Sequence, residues 1–181
     1  VRRRAALLLP ILLAACERMS IEPAAELPPG VMPGAGDPAR FAVESAAHAL
    51  LDRAPALRGD AASAAFACAM VEHATTAFQD AGRFADGPWV TRLLREGRTA
   101  LRQRLGLLDS ATPQQAQDAL LAAAAAFRRA EPAAAAAALA PVAARGADPT
   151  AALAALEAPQ PLRRALREAR HMLNRDLGGG H

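Results

Sequence analysis

The chain has 181 residues, with 21 basic side chains against 18 acids and a formal charge of +3. Every basic residue is arginine, and more than half of the 52% hydrophobic share is alanine, with aromatics at 3%. Alanine favours helix and buries little area per residue, so a core rich in large side chains is excluded. The expected core is helices packed closely through small residues, with Phe41, Phe66, Phe78, Phe84, Trp89 and Phe127 as its few large anchors.

The chain opens with Arg2, Arg3 and Arg4, continues through the apolar run Ala5 to Leu13, and reaches Cys16 after the small residues Ala14 and Ala15. The run falls far short of the about 20 helical residues that a hydrocarbon core requires. It has instead the layout of a signal peptide, with a positive start and a short apolar middle. Leu13-Ala14-Ala15-Cys16 resembles the lipobox of bacterial lipoproteins, in which an aliphatic residue and two small ones precede a cysteine. The resemblance covers only the first sixteen residues, and all four box positions match. It implies diacylglyceryl transfer to the Cys16 thiol, cleavage after Ala15, and acylation of the new amino group. Residues 1–15 are then a cleaved signal peptide, and the chain belongs to the bacterial cell envelope with the membrane as a partner through its lipid. Glu17, rather than aspartate, follows the cysteine and points to the outer membrane. No cofactor is expected beyond the covalent lipid on Cys16. Removing 1–15 takes away three arginines and leaves 18 against 18 acids, so no nucleic-acid footprint is expected.

Residues 16–36 hold the lipidated cysteine and then Pro23, Pro28, Pro29 and Pro33 without apolar periodicity. This composition predicts a tether spanning at most about 60 Å. From 37 to 177 the sequence predicts an all-α, alanine-rich bundle of six or seven helices, followed by a flexible tail at 178–181. Asp37-Pro38 opens a helix expected to reach about Ala54, and Asp60 caps a second to about Ala81, ended by Gly82. Asp86-Gly87-Pro88 starts a third with Val90, Leu94, Gly97, Leu101, Leu105 and Leu108 on its inner side. Thr112-Pro113 starts a fourth to about Ala130. Short helices follow at Ala133 to Ala138, before Pro141, and after Asp148-Pro149. Pro161 begins the last, with Leu162, Leu166, Ala169, Leu173 and Leu177 inward.

Four histidines are available for chemistry: His48, His73, His171 and His181. Glu44 and His48 are four apart, and Glu168 and His171 three apart, but no second Glu-x-x-His exists to complete a paired metal site in a helical bundle. No metal site is expected. Cys68 lies among small apolar residues and reads as a buried thiol. Arg163, Arg167 and Arg170 align opposite the leucines of the last helix as a possible surface contact, and Arg95, Arg98 and Arg102 read as the outer face of the third. No catalytic nucleophile and base can be nominated. The reading that follows is a lipid-anchored envelope protein whose helical domain binds an envelope protein partner or plays a structural part. The alternatives are an envelope enzyme, or a helical bundle whose cleft, lined by Met70, Met172 and phenylalanines, takes a small apolar ligand.

Overall fold

Four helix starts are built from a polar residue followed by proline, or from aspartate alone, and each cap closes as its chemistry requires. In the computed structural model, which describes residues 22–32, 34, 36–80, 83–84 and 87–178 (side chains to Arg175), the Asp37 carboxylate accepts from the Ala39 N–H at 3.0 Å. This caps α1, Pro38–Ala47. Asp60 accepts from the Ser63 N–H at 2.9 Å and caps α2, Ala61–Ala77. Thr112 and Gln115 form a reciprocal capping box for α4, Pro113–Arg128, and Asp148 caps α6, Pro149–Ala154. Between them run α3, Pro88–Leu105, and α5, Pro132–Leu139; α7, Gln160–Gly178, is last. The fold is all-α with seven α-helices among the described residues, as the sequence leads one to expect.

Helix ends differ from expectation for local reasons. α1 stops at Ala47 and passes into one π turn, His48–Asp52, and a short 3₁₀ turn, Ala54–Leu57, where Pro55 has no N–H to continue an α-helix. α2 ends at Ala77 because the carbonyl of Phe78 is taken by the Thr91 hydroxyl at 2.7 Å, while the Phe78 ring stacks on Phe84 at 4.2 Å. The expected stop at Gly82 lies outside the described residues. α3 ends at Gly106, whose φ of 68° is the left-handed turn that glycine adopts without Cβ strain. The chain therefore turns before Leu108, which is 37% exposed, and buries Leu107 instead.

α2 is the centre of the bundle, packed by α4, α1 and α3, and α7 closes over α3 and α1. Its buried surface runs all round the helix from Ala67 to Thr76. Met70 and Cys68 are buried on it, and Met172 of α7 is buried as well, so both methionines belong to the core. Burial pushes the Cys68 thiol far above its ordinary range, as the protonated form requires in an apolar site. Phe78 and Phe84 are buried, and Phe41, Phe66 and Phe127 are partly so. Trp89, expected as an anchor, is 43% exposed: it points off the first turn of α3 while Val90 and Leu93 take the inner positions.

α3 and α7 meet closely at Gly97, where a Cβ would lie 2.8 Å from the Leu162 Cα. Backbone cannot yield as a side chain can. Gly97→Val is expected to lower stability by about 2 to 3 kcal/mol, since overpacking outweighs any helical gain. Chemical denaturation with an unchanged m-value checks this.

Residues 22–31, expected to be part of the tether, lie against the helices as a strap, extended to Leu27 and then turning at Pro28 to Val31. The Glu22 N–H donates to Gln79 Oε1 at 2.9 Å, and the Ala25 N–H to Thr76 Oγ1 at 3.0 Å. Glu26 donates to Gln114 Oε1 at 2.7 Å and its carbonyl accepts from Gln117 Nε2 at 2.6 Å. Ala25 is 3% exposed, and Leu27 and Val31 pack on the core.

Candidate functional site

On α3, Thr91, Arg95, Arg98 and Arg102 follow at helical spacings and share one face. Glu72 and Thr76 of α2, with Gln79 two residues past its end, lie along the facing side. The two stripes face one another and form a polar seam through the bundle. Both oxygens of Glu72 accept from Arg102, Nε at 2.8 Å and Nη2 at 2.7 Å. Arg102 Nη1 reaches the carbonyl of Ala111 at 2.8 Å, so the guanidinium also fastens the loop before α4. Arg98 donates to both oxygens of Glu22 on the strap, at 2.7 and 2.8 Å, and its Nε lies 3.9 Å from Glu72. Arg95 donates to Gln79 at 2.6 Å. Glu72 and the Arg102 side chain are 1% and 5% exposed, and Arg98 is 8%. The expectation that these arginines form an outer face is therefore corrected: Arg98 and Arg102 are buried, because acids on α2 and the strap meet them.

Burial pushes the Glu72 carboxyl up, against the hydrogen bonds and charge of Arg102 and the charge of Arg98. Burial opposes the Arg102 charge as well, yet Glu72 holds it above the ordinary arginine value. With two oxygens accepting from one guanidinium, the ion pair is the form this geometry holds. Glu22 is also pushed up by burial, but Arg98, with Arg95 and Arg102 beyond, holds it below the ordinary glutamate value.

Beside the seam lies a groove of about 520 Å³, bordered by Glu22 and Pro23 of the strap, Pro38 of α1, and His73, Thr76 and Arg83. His73 is 6% exposed. Its ring lies by the Ala25 backbone, with neither nitrogen in a well-formed hydrogen bond, and burial lowers its pKa. Arg83 pairs with Asp37 across the same groove and holds that carboxyl below the usual aspartate value.

These directions fix how the strap responds to acid. His73 favours the neutral form when covered, so strap docking is fully favoured above its free value of 6.5 and weakens as pH falls below it. Glu22 is depressed, so its contribution is present above 4.5 and is lost as pH falls through its lowered value. Amide exchange at Glu22 and Ala25, corrected for intrinsic rates, is expected to speed up between pH 7 and 5, and again below 4.5. His73→Phe should flatten the first step and leave the second.

Cys16 and Ala15 lie outside the described residues. Arg163 and Arg167 are exposed on α7, as is Arg164, and their guanidinium groups have no partner among the described residues. Arg170 does not join them. It donates to Asp52 at 2.9 and 3.1 Å and its Nε lies 3.1 Å from Glu44, which fastens α7 to α1. Glu44 serves Arg170, and His48 lies 3.9 Å from Asp52. Among the described residues no group of three ligating side chains is assembled, and no helix is long and apolar enough to cross a membrane. Comparison with known protein families, curated proteins and solved structures finds no match for this chain.

The strap and seam escaped the sequence reading, although one signal was present. A polar stripe at Thr91, Arg95, Arg98 and Arg102 is matched in spacing by Glu72, Thr76 and Gln79 on and just past the preceding helix, and complementary stripes on sequential helices are candidates to face one another.

Proposed function

We propose that the chain is the precursor of a lipid-anchored protein of the bacterial cell envelope, whose helical domain acts by binding a protein partner. The observation that carries the anchor is Leu13-Ala14-Ala15-Cys16 behind an arginine start and a short apolar run. The binding role is supported by the outer sides of α3 and α7. Trp89 stands exposed two residues beyond Gly87, which abuts Met172 of α7, and Arg163, Arg164 and Arg167 present unpartnered guanidinium groups. Tryptophan and arginine are the residues most enriched where protein interfaces draw their energy.

Photo-crosslinkers at positions 89 and 167 in intact envelopes test this. A specific neighbouring protein is expected at both, with yield reduced about tenfold or more by Trp89→Ala or Arg167→Glu. A second reading, a small ligand held in the groove over His73, is favoured by the poorly partnered imidazole there. Crosslinks to no protein, together with a small molecule retained on purification and lost in His73→Phe, would select it.

A further inference from the structure

We propose that the strap-bearing end of the bundle faces the bilayer, with the opposite end, where α4 passes into α5, held away from it. The inference rests on the lipid anchor at Cys16 and adds an orientation to it. Glu22 is fixed to the domain by Gln79 and by the two-pronged bond to Arg98. Glu22 is six positions beyond Cys16, a span of roughly 20 Å at full extension. A domain of this size is roughly 40 Å across. The anchor is therefore too short for the strap end to turn away from the lipid, although a free stretch to Asp37 would allow any orientation.

The helices define which parts are near and far. The strap crosses the end of α2 at Thr76 and, just past it, Gln79, and the first turns of α4 at Gln114 and Gln117. From Gln117, α4 runs roughly 18 Å to Arg129, at 1.5 Å per residue. α5 begins beyond it at Pro132. Among the described residues the near end carries charges of mixed sign, Glu22, Glu26, Asp80 and Arg83, which leave no net positive face for anionic lipid. Apposition to the bilayer comes from the short anchor, and the groove over His73 opens at this membrane-proximal end.

The test uses the full acylated chain in phosphatidylcholine vesicles, with and without phosphatidylglycerol, and dansyl-labelled headgroups as energy acceptors. In a Trp89→Phe background a single tryptophan is placed by Ala24→Trp, at the strap, or by Ala133→Trp, at the start of α5; both sites are exposed. Transfer from position 24 is expected to exceed that from 133 about threefold or more, given the separation along the bundle, and to be unchanged by phosphatidylglycerol. Either Glu22→Arg, which repels Arg98, or Ala25→Asp, which places a carboxylate beneath the strap, should collapse that contrast while the helical circular dichroism and vesicle binding remain. Equal transfer from the two positions in acylated, vesicle-bound protein overturns the orientation and leaves the anchor standing. A contrast that survives both strap variants overturns the strap's part in it. An N-terminal peptide without acyl mass overturns the anchor, and the orientation falls with it.

Discussion

Glu72→Ala is expected to lower stability by about 3 to 5 kcal/mol, the cost of leaving a buried charge without its partner. Arg102 would keep its carbonyl contact to Ala111 but lose both bonds to carboxylate oxygens in a site only 5% exposed. Arg98 would lose the acid 3.9 Å from its Nε and depend on Glu22 alone. A domain is commonly stable by about 5 to 15 kcal/mol, so this one substitution should move the denaturant midpoint by a large fraction of its value. The double variant Glu72→Leu with Arg102→Met should recover most of the loss, because exchanging a buried ion pair for apolar groups of similar volume is often neutral. A loss below about 1 kcal/mol in Glu72→Ala would mean that the seam reorganises around Glu22 and is not held by Glu72.

Cys16→Ser is expected to move the protein from the membrane fraction to the soluble fraction and to abolish palmitate incorporation. Each buried methylene contributes about 0.8 kcal/mol, so two or three acyl chains hold the protein far beyond the marginal grip of one. Among the described residues no helix is apolar and long enough to cross a membrane. Fractionation before and after high-salt and carbonate washes measures the effect. Unchanged sedimentation of Cys16→Ser through those washes would sink the lipid reading.

The helix starts were legible because they depend on neighbours in sequence. Asp37-Pro38, Thr112-Pro113 and Asp148-Pro149 carry both the capping oxygen and the ring that pre-sets the first helical turn. Helix ends and polar faces depend on distant groups. α2 stops where Thr91 of another helix takes a carbonyl, and no residue within α2 announces it. Arg98 and Arg102 looked solvated because an arginine stripe opposite leucines ordinarily is; their burial follows from Glu72, 26 and 30 positions away, and from Glu22. The strap escaped for a related reason. Proline-rich chain without periodicity resembles a free linker, and its docking bonds are made by Thr76, Gln79, Gln114 and Gln117, whose positions become meaningful only once α2 and α4 lie side by side.

The sealed position of Cys68 gives the folded protein a chemical clock. Its sulfur has no exposure in the native state and sits in the middle of the central helix, so a thiol reagent can reach it only through an opening that loosens α2 from its neighbours. The labelling rate divided by that of an open thiol then reads the population of that opening directly. During folding the same geometry sets an order of events: until α2 is enclosed, Cys68 is as available to oxidants and stray disulfide partners as any thiol, and afterwards it is silent. How quickly this bundle closes decides how long that thiol stays open to modification.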